Sequence, residues 1–314
     1  HATTRLIAAT GVSIMWDEIP AGSAAFTASG DALPEAVIDS IRTTRVALKG
    51  KLSTPVGAGY ESPNVRLRKA LDLFAMVRPL QILPGHRGRY DDVDIVIIRE
   101  ATEDVYAGIE HQVVPGVVQS IKVTTKAACE RVVRFAFEYA REHDRKKVTL
   151  IHKANIMKRS DGLFLRVGQA IAEEYADIAF DALIADNACM QMVRDPSRYD
   201  VLVAQNLFGD LLSDLGAGLV GGISNVWGTL RGSDDIVVFE AIHGIADELI
   251  GSGKANPLTL IRPASALLRH LGETDAADRV DAAVAATLEA GIRTADIGGD
   301  ATTEGFVDAI IARL

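Results

Sequence analysis

The run YDVLVAQ, followed at once by NLFGDLLSDLGAGLVGG from Asn206 to Gly222, constrains this chain most tightly. A short apolar stretch rich in β-branched residues reads as a strand buried on both faces, the habit of parallel sheets. After Asn206 the period lengthens, and Leu207, Leu211, Leu212 and Leu215 recur at helical spacing. Asp210 and Asp214 stand four residues apart on that helix, so both carboxylates point from one face. Like charges so placed repel by roughly a few tenths of a kcal/mol unless a cation sits between them. A hard divalent ion with oxygen ligands, Mg²⁺ or Mn²⁺, turns that cost into a site. The plain alternative is that both carboxylates face water. Against it, the pair begins within a turn of a strand's carboxyl end, where open α/β sheets bind ligands.

Gly216, Gly218 and Gly221 in the same stretch satisfy G-x-G-x-x-G. A dinucleotide fingerprint opens a helix directly after a strand, whereas these glycines close one. They are read as ending the helix and letting it pack closely, not as a Rossmann loop.

Elsewhere strands and helices alternate. Helices are expected over Pro34–Thr44, Val65–Phe74, Lys126–Arg141 and Ser160–Tyr175. Strands are expected at VALKG, VRPLQIL, DIVII, KVTLIHK, IAFDALIAD and DIVVFE, with VVQSIKVTT an exposed or two-sided strand. STPVGAGYESPN is a Gly/Pro-rich loop. The pattern weakens past Gly222, recovers at DIVVFE and finishes in helices. It indicates an α/β fold with a mostly parallel sheet. No repeat or low-complexity linker is visible, so any second domain is interleaved with the first. The chain opens at HATTRLIAATGV as though inside a helix, and the natural chain is expected to extend further at its N-terminus.

With 314 residues, 48% hydrophobic and 24% charged, the chain has enough apolar material for one large or two smaller cores. A net charge of −9 argues against nucleic acid or an anionic membrane as the main partner. Cys129 and Cys189 show no metal-binding spacing and suit a reducing compartment. No apolar run approaches a membrane span, and no secretory leader opens the chain, so a cytoplasmic location is expected.

Between Ser62 and Arg99 lies a set of anion binders. Ser62 and Asn64 open a helix, where side-chain polar groups and free backbone N–H groups favour negative charge. Arg68, Arg78 and Arg99 follow, the last two beside strand ends. Guanidinium groups grip carboxylates in two-pronged geometry, so the cluster suits a substrate with several carboxylates. For Arg66 and Lys69, surface ion pairing is the simpler reading. Tyr106 is suited to passing a proton, and Lys153, just beyond a buried strand, to acting as a base. Taken singly, a packed Tyr and a snorkelling Lys are the simpler readings. Asp186 can add a third carboxylate to the metal pair, although sequence spacing does not bring it there. In the last third, small residues in HGIADELIGSGKANP and TADIGGDATT permit close backbone approach to a ligand.

Together SPNVRLRKALDLFAMVRP, REATEDVYAGIEH, HKANIMK, NLFGDLLSDLGAGLVGG and DIGGDATT resemble the decarboxylating β-hydroxyacid dehydrogenases. These are the isocitrate, homoisocitrate, 3-isopropylmalate and tartrate dehydrogenases, and the resemblance runs from about Val46 to Leu314. It implies a mostly parallel sheet spanning two interleaved domains, with an active-site cleft between them, outside the standard Rossmann fold. Residues 1–73 and 222–314 would form the large cofactor-binding domain, and residues 74–221 the small domain carrying the dimer interface and metal site.

The resemblance also implies roles. Arg68, Arg78 and Arg99 would hold substrate carboxylates, and Tyr106 would donate a proton. Lys153 and Asp186 would enter the site from the partner of a homodimer with shared active sites. Asp210 and Asp214 would be metal carboxylates of the home protomer, holding Mg²⁺ or Mn²⁺. Thr54, His243, Gly244, Asn256 and Asp296 would bind the nicotinamide cofactor. Glu248 stands where NAD-using members carry an acid; a carboxylate accepts ribose hydroxyls and repels a 2′-phosphate, so NAD is favoured. Ser62 and Asn64 match the S-x-N arrangement of members that act on isocitrate, a tricarboxylate.

The expected reaction is therefore metal-dependent oxidative decarboxylation of isocitrate with NAD. Homoisocitrate is the runner-up, with 3-isopropylmalate or tartrate disfavoured, and a non-catalytic regulatory subunit is the alternative of another class. HGIADELIGSGKANP departs from the usual HGxAPDIAGKGIANP, with Asp247 in place of proline. SNVWGTLRG stands where a smaller Gly/Pro/Ser-rich loop is usual, and the family's first strand and GDGIGP-type loop are absent from this sequence.

Overall fold

The computed structural model describes residues 1–53, 60–85, 89–244, 246 and 249–314. Its strands are β1 (Val46–Lys49), β2 (Leu73–Gln81), β3 (Asp94–Glu100), β4 (Glu110–Val114) and β5 (Val117–Ser120). They continue with β6 (Lys147–His152), β7 (Ala179–Ile184), β8 (Val201–Ala204), β9 (Trp227–Gly232) and β10 (Val237–Ala241). All but β4 and β5 join one sheet in the order β1-β10-β9-β2-β3-β8-β6-β7. Its ends are parallel (β1 with β10, and β3 through β8 and β6 to β7). Its middle, from β10 through β9 and β2 to β3, is antiparallel.

Helices α1 (Ala2–Ala9), α2 (Ser23–Ser29), α3 (Glu35–Thr44) and α4 (Pro63–Ala70) belong to the first part of the chain. Helices α5 (Lys126–Glu142), α6 (Ser160–Ala172), α7 (Ala185–Arg194) and α8 (Asn206–Leu219) alternate with the central strands. Helices α9 (Leu258–His270), α10 (Thr274–Glu289) and α11 (Thr303–Ile311) close it.

The two-residue strand period sets the layers. On β3, Val96 and Ile98 face α5 and α6, packing with Phe137, Phe164 and Leu150. Ile95 and Ile97 face the other way, into a cluster with Met192, Leu202 and Leu212 beneath α7 and α8. A third cluster joins α1, α9, α10 and α11 through Leu6, Leu258, Ile261, Val280, Phe306 and Ile310. The sheet is covered on both faces, as the apolar runs in its strands require.

Several boundaries differ from the sequence reading. Helix α4 stops at Ala70, short of the expected Phe74, because Asp72 takes a left-handed backbone (φ 44°). Arg131 and Ser233 hold that turn by bonding the Asp72 carboxylate. Only Val117–Ser120 of VVQSIKVTT is strand, and it pairs with β4 as an exposed hairpin. Helix α6 ends at Ala172, and Asp186 lies in the first turn of α7, not in the preceding strand. Strand β9 has no clear signal in the sequence, since glycines at 228 and 232 and Arg231 break its apolar pattern.

The glycines of the opening stretch do not form a dinucleotide loop, and one of them, Gly216, serves packing. Gly216 and Gly218 lie inside α8, and Gly221 follows it at φ 96°. A Cβ at Gly216 would collide with Leu80 of β2, so this glycine sets how closely α8 approaches the sheet. Among the described residues no helix is long and apolar enough to cross a membrane.

Candidate active site

The carboxyl ends of β1, β3 and β10, the start of α4 and one face of α8 enclose a cavity of about 350 Å³. It gathers Ser62, Asn64, Arg68, Arg78 and Arg99 with Tyr106, Asp210 and Asp214. The anion binders and the helical carboxylate pair, legible separately in the sequence, thus face one space.

Arg99 lies at the end of β3 and is buried. Its Nε and Nη2 donate to Asn206 Oδ1 at 2.9 and 2.7 Å, while Nη1 pairs with Asp210 Oδ1. Gly209 makes this possible: a Cβ there would stand 2.5 Å from Arg99 Cγ. Asn206, at the first position of α8, therefore ties the strand end to the helix carrying both aspartates.

Tyr106 sits on a short 3-10 turn that Asp104 fixes. Asp104 adopts φ 72°, and its carboxylate accepts from Val105 N at 2.8 Å and from Leu207 N at 3.0 Å. One side chain thus anchors the Tyr106 turn and satisfies a free N–H at the start of α8. The Tyr106 phenol donates to Asp210 Oδ2, and Arg99 lies 5.0 Å from the ring centroid. Burial, and then this hydrogen bond to a carboxylate, hold the phenol pKa above its ordinary value.

Arg68 and Arg78 are under-satisfied. Arg68, in the last turn of α4, touches Met76 Sδ at 3.4 Å, and its Nε is buried with no partner. Burial, and then Arg99, pull its pKa down to about 10. Arg78, on β2, donates to Glu240 Oε1 at 3.1 Å, leaving Nε and Nη1 buried and unpaired. Buried donors without acceptors cost about 1–3 kcal/mol each, and a polycarboxylate supplies what they lack.

Sequence reasoning missed Lys49, Lys51 and Glu240, which also line the cavity. Lys49 and Glu240 lie in register on adjacent parallel strands and pair at 3.0 Å. Burial alone would raise the Glu240 pKa, but Lys49 and Arg78 overcome it and hold the carboxyl at about 2. A charge near the end of a buried strand is the signal that singled out Arg99, and it applies to Glu240 but not to Lys49, whose strand is only half-buried. Asn64 is already engaged, accepting from Lys49 at 3.2 Å and donating to Leu52 O at 3.0 Å. Ser62 makes no capping hydrogen bond to α4. Arg66 and Lys69 form surface ion pairs with Asp31 and Glu61, as expected.

Lys153 and Asp186 do not join the cavity. They follow β6 and β7 and bond each other, Nζ to Oδ1 at 2.6 Å, with Asp186 largely exposed. The Lys153 backbone N–H donates to buried Asp161 at 2.7 Å, and Lys122 bonds the other Asp161 oxygen at 2.6 Å. Among the described residues no three His, Cys, Asp or Glu side chains are grouped to hold a metal. Asp210 and Asp214 offer the cavity hard oxygen donors on one helix face, which suits Mg²⁺ or Mn²⁺ in type but leaves protein coordination incomplete.

Of the cofactor residues, Asn256 donates to Asp296 Oδ2 at 3.0 Å, joining two distant loops. His243 Nδ1 lies 2.7 Å from Gly244 O on the loop after β10. Thr54, Asp247 and Glu248 lie outside the described residues.

Residues 4–310 match the family described as isocitrate/isopropylmalate dehydrogenase. The whole chain is 44% identical to 84% of an Arabidopsis thaliana protein named isocitrate dehydrogenase (NAD) catalytic subunit 5, mitochondrial. It is 42% identical to 87% of a Dictyostelium discoideum protein whose name makes it a mitochondrial regulatory subunit of NAD isocitrate dehydrogenase. A crystal structure of isocitrate dehydrogenase from Methylococcus capsulatus matches with TM-score 0.95 and 48% identity, covering 99% of this chain and 94% of that one. The mitochondrial names overturn the cytoplasmic expectation, since two unpaired cysteines do not discriminate between reducing compartments. The chain belongs to the isocitrate/isopropylmalate dehydrogenase family.

Proposed function

We propose that this chain catalyses the metal-dependent oxidative decarboxylation of isocitrate to 2-oxoglutarate and CO₂ with NAD. The carrying observation is the cavity that joins three buried guanidinium groups, two of them with unpaired N–H donors, to Tyr106, Asp210 and Asp214. The names of the NAD isocitrate dehydrogenase relatives support the same substrate and cofactor.

Arg68, Arg78 and Arg99 bind and orient the substrate carboxylates, and Ser62 and Asn64 face the third. Asp210 and Asp214 hold the divalent ion. When bound, the ion supplies Lewis-acid polarisation of the substrate oxygen, and NAD the hydride acceptor. Lys153, through water, takes the hydroxyl proton, and Tyr106 returns a proton to carbon after CO₂ leaves. The raised Tyr106 pKa keeps that proton in place at neutral pH. Lys153 and Asp186, held as a pair away from the cavity, complete the site of a second copy in a dimer with shared active sites. Thr54, His243, Gly244, Glu248, Asn256 and Asp296 hold the cofactor in this reading. It divides the chain into a large domain, residues 1–73 and 222–314, and a small one, residues 74–221. The cluster joining α1, α9, α10 and α11 draws all its buried residues except Leu83 from the large domain, which supports that division.

A regulatory role has one observation in its favour, the name of the Dictyostelium discoideum relative. Retention of the arginines, Tyr106, Lys153 and all three aspartates favours the catalytic one. NADH or NADPH formation with Mn²⁺ is the test, offering isocitrate, homoisocitrate and 3-isopropylmalate, each with NAD and NADP. Turnover confined to isocitrate with NAD is expected. Preference for homoisocitrate would overturn the assignment of Ser62 and Asn64.

A further inference from the structure

The antiparallel middle of the sheet has a second hollow on its other face. Arg78 of β2 and Glu240 of β10 point to the active-site side, while their neighbours Val77, Pro79 and Phe239 point to the rear. There, with Trp227, Thr229 and Arg231 of β9, they form one wall of a cavity of about 650 Å³. The other walls come from α9, α10 and the last turn of α5. This size lies within the range of small-molecule sites, roughly 300–1,000 Å³.

The chemistry of the wall is specific. The Arg231 side chain forms no hydrogen bond or ion pair among the described residues, and its Nε is fully buried. Burial holds its pKa below the ordinary value; Tyr139 and then exposed Glu142 act against this only through space, with no hydrogen bond or ion pair to either. Trp227 Nε1 is likewise buried without an acceptor. The other arginines of the cavity are already matched. Arg145 pairs with Asp94 and Asp200, Arg269 pairs with Asp278 and Asp281, and Arg262 donates to Asn225 O. Among the described residues Arg231 is therefore the one guanidinium of this lining whose donors are all unpartnered, and it lies beside an apolar strand face. Both orphaned donors lie on SNVWGTLRG, the segment that departs from the family's sequence pattern.

We propose that this rear cavity binds a small organic monocarboxylate with an apolar body. Its carboxylate seats on Arg231, and its hydrocarbon part lies against Val77, Trp227 and Phe239. A single free guanidinium matches one carboxylate in two-pronged geometry. A phosphate dianion would call for a second guanidinium with free donors, and those of Arg145, Arg262 and Arg269 are already engaged. Since the two cavities lie on opposite faces of the same strands, this ligand and the active-site substrate bind together.

Sodium octanoate is the probe, titrated calorimetrically into the intact protein with and without saturating isocitrate. The expected result is saturable binding of one octanoate per chain, unchanged by isocitrate and not competed by inorganic phosphate. Arg231→Met should weaken it about tenfold or more, the loss expected for a charge-assisted pair, with Arg231→Lys between the two. Should Arg231→Met not fold, tryptophan fluorescence serves: octanoate should change the emission of the wild type but not of Trp227→Phe. Absence of saturable binding overturns the proposal. So does displacement by isocitrate or phosphate, wild-type affinity in Arg231→Met, or an unchanged fluorescence response in Trp227→Phe.

Discussion

The phenol of Tyr106 donates its hydrogen bond to Oδ2 of Asp210, while Arg99 occupies Oδ1 of the same carboxylate. The group assigned to proton delivery and one assigned to metal binding are thus in contact before substrate arrives. Replacing Tyr106 by Phe removes the proton source and leaves Asp210 and Arg99 paired. The expected result is a kcat lower by roughly 100- to 10,000-fold, the range for loss of a general acid. KM for isocitrate should change little, because the carboxylate-binding arginines remain. Steady-state kinetics on Y106F checks both.

Glu240 lies buried between Lys49 and Arg78 and makes the cavity acid-sensitive. Its pKa falls on folding from the ordinary 4.5 to about 2, so its stabilising contribution is complete above about 4.5 and is lost as pH drops toward 2. Glu240→Gln strands two buried cations and should destabilise the protein at neutral pH by about 3–5 kcal/mol. It should also flatten the loss of stability in that acid window. Urea unfolding of both proteins from neutral pH down to the onset of acid unfolding measures it.

Two glycines of α8 make opposite predictions. Gly209→Ala drives a methyl into the Arg99 side chain, so KM for the substrate should rise and the helix should lose stability. At Gly218 nothing lies within 4 Å of an added Cβ. Gly218→Ala should therefore stabilise the helix by about 0.5–1 kcal/mol with activity retained. Thermal melts and substrate titrations of the two variants separate the effects.

The Lys153–Asp186 pair tests whether sites are shared. Lys153→Ala and Asp210→Asn should each be inactive alone. Mixed, dissociated and reassociated, they should regain part of the activity, since a mixed dimer contains one site with neither substitution. No recovery from demonstrably mixed dimers would place Lys153 in the site of its own chain.

Much of this site is legible in the sequence because its residues sit where a local pattern changes. Arg99 closes one strand, Asp210 follows the switch from another strand to a helix, and Asn206 links them across 107 positions. That pairing follows once β3 and β8 are neighbours, which no local pattern states. The pairing of Lys49 with Glu240 is hidden for the same reason, since it depends on β1 lying beside β10. Strand β9 is hidden by its composition: glycines let it pack against Arg78 and Leu73, and Arg231 faces a cavity rather than a core. The end of α4 is not legible because its leucines continue with helical spacing into β2. Tertiary contacts to Asp72 end the helix.

The most direct measurement is isocitrate-dependent NADH formation by the isolated, folded chain as Mn²⁺ is titrated. The account predicts a saturable rise in rate, abolished by chelation and absent in Asp210→Asn. Isocitrate binding without turnover at any metal concentration would contradict it, and would assign the chain to the non-catalytic subunits of its family.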